Sequence, residues 1–599
     1  MTGFAPLLRR FRQRGRRWLA LGLIAVVSAI ALTACNPSRF TVATANVPRL
    51  VFSTLSDPKT FNPVLNSESP NVFLYTTEGL TTSNGLTGEV EPALAESWDI
   101  SEDGQTIVFT LREGLRWSDG EPLTADDVLF TFNEVVFNEE IPTSSRDVMR
   151  IGEQGLLPEV TKLSDRQIQF VLPEPFAPFL RTMAMEILPA HALRRSLQER
   201  DADGNLRFLS TWTTSTPPEQ VVSSGPYRIK QYLPGERVIF ERNPYYWQKD
   251  DQGNPQPYIE ELVWQIIESQ DNELLQFRSG GLDLASVTPD SFSLLKREED
   301  RGDFTIYNGG PSTSTLFLCF NLNKASRNGR PLVDPVKSRW FNSVAFRQAV
   351  SYAIDRETMI NNIYKGLGVP QTSPISVQSP YYAAPEDGVI TYPYNLTKAE
   401  ELLAGDGFTK NASGQLVDAD GNRVRFTLIT NAGNKIREAV GAQIKSDLAK
   451  IGIQVDFQPI AFNTLVDKLS DSLDWEAHII GFTGSIEPNS GANIWSLTGS
   501  LHAFNQQALP GQEPLEGWEA ADWEQEISDL YIQGAQAIDE GERKAIYLRT
   551  QQLTQEYLPF TYLVNQYSMG AVRNKIQGVE YSALGGALWN LESLTIAQD

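Results

Sequence analysis

Side chains able to make or break bonds are scarce in this chain. Its three histidines, His191, His478 and His502, stand at no helical metal-ligand spacing, and no HExxH pair is present. Two cysteines, Cys35 and Cys319, leave no CxxC metal or redox site. There is no GxSxG nucleophile turn and no glycine-rich GxGxxG or GxxxxGKS phosphate loop. The carboxylate pairs Asp126-Asp127 and Glu260-Glu261 read as a helix start and solvated surface. A glycosidase needs two acids that are close in space, and not in sequence, so a hydrolase stays open. What the sequence offers is a stretch suited to non-covalent contacts, HIIGFTGSIEPNSGANIW, residues His478 to Trp495. Its hydroxyls and amides can pair with a ligand's polar groups, and its rings can pack on apolar ones. His478 and His502 flank it; a strand histidine is more often a hydrogen-bonded core residue, and two histidines make a weak transition-metal site.

The elements around this stretch say where it stands. Val424, Phe426 and Leu428 alternate as in a strand, and Ile436, Val440, Ile444, Leu448 and Ile451 repeat at helical spacing until Gly452. Ile453, Val455 and Phe457 alternate again. That is a βαβ unit, with a parallel pair and a right-handed crossover. A short helix near Phe462 to Leu469 then leads to a strand from Asp474 to Phe482. Ligands of open α/β sheets bind beyond the carboxyl ends of the strands, where the loop from Thr483 to Asn493 falls. Elsewhere, Leu50 to Leu55 is a first strand, and Ile107, Phe109 and Leu111 share one strand face. Thr124 can cap a helix, two strands flank Pro234-Gly235, and Phe346, Ala349, Val350, Ala353 and Ile354 form a buried helical stripe ahead of the cap residue Asp355. The Pro/Ser/Tyr-rich stretch Gln371 to Tyr394 is expected to be flexible.

At 599 residues the chain exceeds one hydrophobic core, so two or three domains are expected. A formal net charge of −23 argues against nucleic acid as a partner, since the first 34 residues hold six arginines and no other basic patch stands out. That arginine-rich start precedes an apolar run, Trp18 to Ala34, long for a signal segment and short for a membrane span. Leu32-Thr33-Ala34-Cys35 resembles the lipobox of bacterial lipoproteins, in which lipid is attached to the cysteine sulfur; the alternative is a signal anchor with an incidental cysteine. With Cys35 on lipid, Cys319 has no partner for a disulfide and reads as a small core residue.

Five segments in order then resemble one family. They are LAESWDISEDGQTIVFTLREGLRWSDGEPLTADDVLFTF, SGPYRIKQYLPGERVIFERNPYYW, FRQAVSYAIDRETMINNIYKG, YPYNLTKAEELLAGDGF and AIYLRTQQLTQEYLPFTYLVNQ. The chain is similar, from about Pro48 to Leu594, to the extracellular solute-binding proteins of family 5, the peptide, dipeptide and nickel-binding components of ABC importers. The resemblance implies an α/β, two-lobed periplasmic-binding-protein fold of type II, cluster C-like, with an extra domain inserted in the first lobe. Placed on this sequence, residues 1–34 are a lipoprotein signal peptide and 35–47 a tether. Residues 48–83, 221–310 and 566–599 form lobe I, 84–220 its insertion, and 311–565 lobe II.

The function so implied is capture of a peptide or peptide-like solute in a cleft and delivery to an ABC permease, by a monomer lipid-anchored through Cys35 at the cell envelope, with no catalysis, cofactor or metal. A non-peptide elongated solute (a sugar derivative, siderophore-like compound or metal complex) and a sensory binding protein stay as alternatives. In the family's di- and oligopeptide binders the strand before this loop leads to an aspartate that pairs with the peptide ammonium. Here Ser485 stands at that place, and a hydroxyl cannot neutralise a buried ammonium. Glu487 is the acid that could substitute from a shifted loop. Acetylating a peptide's amino terminus is therefore expected to cost little affinity. The resemblance points to Phe482, Ser485, Asn489, Asn493 and Trp495 on lobe II, and to Glu68, Asn71 and Tyr75 on lobe I, as ligand contacts.

Overall fold

Alternation along the chain is converted into sheets much as the sequence predicts. In the computed structural model, which describes residues 48–54, 56–66, 71–143, 145–267, 269–508 and 512–597, the strand Arg49–Thr54 buries Leu50 and Phe52. It pairs in parallel with Glu261–Ile266, and Arg237–Arg242 and Tyr227–Leu233 continue the sheet antiparallel. The signal-peptide and lipobox region, Cys35 and the tether lie outside the described residues, and so does Glu68. No helix among the described residues is long and apolar enough to cross a membrane.

A second four-stranded sheet, Ala95–Ile100, Thr106–Leu111, Gln167–Val171 and Glu159–Lys162, is wholly antiparallel. Ile107, Phe109 and Leu111 face its core. The helix Ala125–Leu129 packs there, started by a capping box in which Thr124 and Asp127 satisfy each other's backbone amides. This segment does not build a core of its own. Phe109, Phe170 and Phe132 belong to one continuous apolar cluster with Leu50, Phe240 and Trp264 of the first sheet.

The βαβ unit stands as expected. Arg425–Asn431 and Gln454–Ile460 are parallel neighbours joined by the helix Lys435–Lys450. Gly452 ends the passage at φ +85°, and a Cβ there would lie 2.7 Å from the Gly414 carbonyl oxygen, so the close turn requires glycine. Ala477–Ile480 adds in parallel on the other side of Arg425–Asn431, and Phe317–Phe320 and Phe560–Tyr562 complete five strands. Cys319 and His478 face each other across this sheet, both buried. His478 departs from expectation in one respect: neither ring nitrogen meets a partner, and burial among Trp475 and Phe317 pulls its pKa down to about 3, leaving a neutral ring. His502 is buried too, with Nδ1 2.9 Å from the Ile494 carbonyl oxygen and Nε2 3.4 Å from Glu524.

A further sheet, Leu284–Ser286, Val564–Arg573 and Phe304–Pro311, sits where the chain passes between two bodies, the first built on the apolar cluster of Leu50, Phe109 and Phe240 and the second on that of Phe317, Phe426 and Phe560. The passing segments run side by side: the Ser312 amide donates to the Gln566 carbonyl (2.9 Å), and the Leu563 amide to that of Leu316 (3.0 Å). Gly368–Pro370 pairs with Val564–Gln566, and Gln371 clamps the crossing, accepting from the Leu316 amide and donating its own amide to the Leu563 carbonyl. The stretch 371–394 is thus not the free connector its composition suggested. Ser373 donates to Gln551 (2.7 Å), Gln551 also accepts from the Ala383 amide, and Ile375, Ala383 and Tyr392 are buried.

Candidate functional site

The loop after Ala477–Ile480 is held against the crossing by two glycines that tolerate no side chain. A Cβ on Gly481 would stand 2.3 Å from the Thr315 carbonyl oxygen, and one on Gly484 1.7 Å from that of Thr313. The Thr315 amide donates to the Phe482 carbonyl at 3.0 Å, so the loop extends the crossing segment as a short backbone pairing. Phe482 is half-buried, its ring packed on Phe317 and Phe560. Ser485 is exposed and its hydroxyl accepts from the Glu487 amide (3.2 Å), which tightens the turn. Asn493 is exposed, and Asn489 is half-buried at the start of a short helical turn.

Two predicted contacts are directed elsewhere. Trp495 is a core residue, stacked on Tyr531 at 19° and set edge-on to Phe560. Glu487 is 7 % exposed and forms a buried ion pair with Arg543 at 2.8 Å, while it caps the Asn489 amide. Such a carboxylate already has its cation, so it is not a free replacement for the missing aspartate. Arg543 is itself fully engaged, donating to the Gly534 carbonyl and the Tyr381 hydroxyl. Burial works against its charge, but the facing Glu487 outweighs that and the guanidinium titrates above its ordinary value.

Facing this loop is the hairpin formed by Thr81–Ser83 and Val90–Pro92. Gly88, in the turn at φ +74°, meets the second body directly: a Cβ there would lie 2.1 Å from Ile486 Cδ1. Arg181 braces the same turn, donating to the Gly88 carbonyl (2.7 Å) and the Ser83 hydroxyl, and the charge of Glu487 acts on it in favour of its cationic form. A second contact joins the Ala177 amide to the Ala535 carbonyl at 2.7 Å, and Gln536 bonds Glu174. Tyr75 is half-buried among Phe52, Phe240 and Trp264, and burial pushes its hydroxyl above the ordinary tyrosine range. Asn71 accepts from the Phe73 amide (2.9 Å) and so begins the short helix Phe73–Thr76. Asn71 and Tyr75 both line a cavity of about 640 Å3.

Sequence reading missed Arg543, Arg181 and the acid Glu78, which lies in the same cavity. The Tyr246 hydroxyl (2.5 Å) and the Trp247 indole N–H (2.8 Å) both donate to Glu78, yet burial dominates and raises its pKa to about 7. The available signal was an acid set between apolar positions in LYTTEGL.

Comparisons with known proteins identify the fold and the family. Residues 89–504 match the family model described as bacterial extracellular solute-binding proteins, family 5 Middle. A "Probable ABC transporter-binding protein" of Deinococcus radiodurans is 32 % identical over 553 residues, 88 % of each chain. Among solved structures, the oligopeptide-binding protein AppA from Bacillus subtilis in complex with a nonapeptide superposes with a TM-score of 0.69 at 23 % identity, over 92 % of this chain and 99 % of that one. The periplasmic binding protein MelB from Agrobacterium fabrum in complex with stachyose gives 0.73 at 21 % identity, over 92 % and 85 %. The fold is therefore two-lobed, and the chain belongs to the bacterial extracellular solute-binding proteins of family 5.

Proposed function

We propose that this protein captures a peptide or peptide-like solute between its lobes and delivers it to the permease of an ABC importer. The observation that carries the reading is the pair of side-by-side crossings at 311–317 and 562–566, onto which the loop 481–487 is directly bonded. A hinge built this way couples lobe rotation to the loop that touches ligand. Thr483, Ser485 and Asn493 present exposed hydroxyl and amide groups suited to an extended backbone. The family consists of binding proteins, and capture needs no bond chemistry. Lipid attachment at Cys35, action as a monomer and a place in the cell envelope belong to the same proposal.

A second reading, an elongated non-peptide solute, is favoured by Ser485 and by the fate of Glu487: the second-lobe loop carries no free carboxylate for a peptide ammonium. The AppA and MelB structures hold a nonapeptide and stachyose respectively, so the shared fold is compatible with either. Mass spectrometry of the molecule released on denaturing gently purified protein separates them. A peptide series supports the first reading, an oligosaccharide or chelate the second. Turnover of that released molecule by the protein would overturn both.

A further inference from the structure

The first-lobe cavity is not explained by packing. Its walls are Tyr75, Tyr246, Trp247, Leu588 and Trp589, and four carboxylates reach it, Glu78, Glu91, Glu186 and Glu592. Among the described residues, neither a lysine nor an arginine lines it. Trp589 is fixed as a wall between Gly85 and Gly585, where Cβ atoms would stand 2.2 and 2.6 Å from its ring, and its indole donates to the Glu580 carbonyl. Glu91 accepts from the Asn84 amide nitrogen (2.9 Å), and Glu78 has its two donors. Among the described residues Glu186 and Glu592 have no side-chain hydrogen bond or ion pair; both are half-buried, and that burial holds both above the ordinary carboxylate range. Arg112, a nearby cation whose charge acts on Glu78, is not among the lining residues: its guanidinium stacks on Trp247 at 3.9 Å and donates to the Pro92 and Ala93 carbonyls.

Uncompensated acids in an aromatic enclosure are costly to keep, and a cation is what relieves them. Rings present their negative faces to an ammonium, and each carboxylate adds a charge-assisted hydrogen bond. The cavity also borders the meeting point of the lobes. The hairpin and the segment 582–589 contribute Thr82, Ser83, Gly585 and Trp589 to it, while Gly88 in the hairpin turn meets Ile486 and has Leu584 beside it.

We propose that this cavity is a subsite for an alkylammonium group, held by Glu186 and Glu592 against Trp247 and Trp589, and that it gives the protein a preference for cationic solutes. It rests on the reading of solute capture in assigning the ammonium to the captured molecule. The shared chemistry has three sources, a lysine side chain, a peptide amino terminus or a polyamine, and the probes separate them. Calorimetric titration of the purified full-length protein would use acetyl-Lys-Lys-Lys-amide, Lys-Ala-Ala, acetyl-Ala-Ala-Ala-amide and spermidine.

The expected result is that at least one cationic probe binds about tenfold or more tighter than the acetylated alanine peptide, a margin that E186Q/E592Q abolishes and E186D/E592D keeps. Equal affinity for charged and neutral probes in the unmodified protein overturns the inference whatever the variants do. A margin unchanged in E186Q/E592Q overturns it as well. Peptides bound without discrimination would leave solute capture standing and remove this subsite. Spermidine bound in a Glu186- and Glu592-dependent way, with no peptide bound, would keep the subsite and remove peptide capture.

Discussion

A carboxylate and a guanidinium removed from water together are stable only while neither loses the other. Glu487 and Arg543 are in that position, 7 % and 6 % exposed, and each also holds backbone groups. Removing one charge strands the other, so E487Q should lower unfolding free energy by on the order of 3–5 kcal/mol, and E487L with R543M together should cost less than either change alone. Urea denaturation checks this; a near-zero effect of E487Q would mean that water reaches the pair. Glu78 gives a different signature. Its folded pKa, about 7, lies above the ordinary 4.5, so across that window the native state keeps a proton that the unfolded chain has released. Its contribution to stability is full below about 4.5 and is lost as pH rises through about 7. E78Q, neutral throughout, should flatten the fall in Tm between about pH 5 and about pH 7.5. It should also cost roughly 1–3 kcal/mol at low pH, because one amide oxygen cannot accept well from both Tyr246 and Trp247. An unaltered slope in a pH series of melting curves would assign the dependence to other groups.

At the level of elements, the loop after Ala477–Ile480 depends on backbone lying on backbone. A methyl group on Gly484 meets the Thr313 carbonyl oxygen, which cannot yield without moving the crossing. G484A should therefore displace the loop, costing roughly 1–3 kcal/mol of stability and weakening solute binding more than its fall in Tm explains. G405A, at the end of the helix Leu396–Gly405 with open space around it, is the matched control and should be neutral or mildly stabilising. Titration with the co-purified solute reads the difference, and equal affinities in the two variants would remove the loop from the site. Elements of this kind were legible where one periodicity decided them: Ile107–Leu111, the βαβ unit, the cap at Thr124 and the buried stripe from Phe346 are all where the pattern placed them. The partners of a loop are not written locally. Arg543 lies 56 positions from Glu487, and Gln551 holds Ser373 from 178 positions away, so nothing near Glu487 or Ser373 announces them. Trp495 and Phe482 look alike in sequence, yet only the packing of Tyr531, Phe504 and Phe560 around Trp495 makes it core.

For the molecule as a whole, the question is what balances an open against a closed arrangement of the lobes. The crossings at 311–317 and 562–566 are tied to each other by backbone pairs and the Asn565 amide and clamped by Gln371 and Gln378, whereas two contacts between the lobes among the described residues lie far from them in sequence. One contact is polar, Ala177 to Ala535 with Glu174 to Gln536; the other is apolar, Ile486 against the Gly88 turn. Ile486 is held by its carbonyl, which accepts from the Ser379 hydroxyl at 2.5 Å, so its side chain can change while the loop stays in place. I486D would put an unpaired carboxylate against the Gly88 turn each time the lobes meet, and burying such a charge costs several kcal/mol. The open arrangement avoids that cost because the side chain is then in water. The expected outcome is a larger radius of gyration for I486D by small-angle scattering without solute, a partial return toward the unmodified value at saturating solute, and solute affinity at least about tenfold weaker. I486A, which only removes the contact, should fall between the two. Scattering curves for I486D that superpose on those of the unmodified protein, with and without solute, would show that this contact does not set the balance and would leave the Ala177–Ala535 side to hold the lobes together.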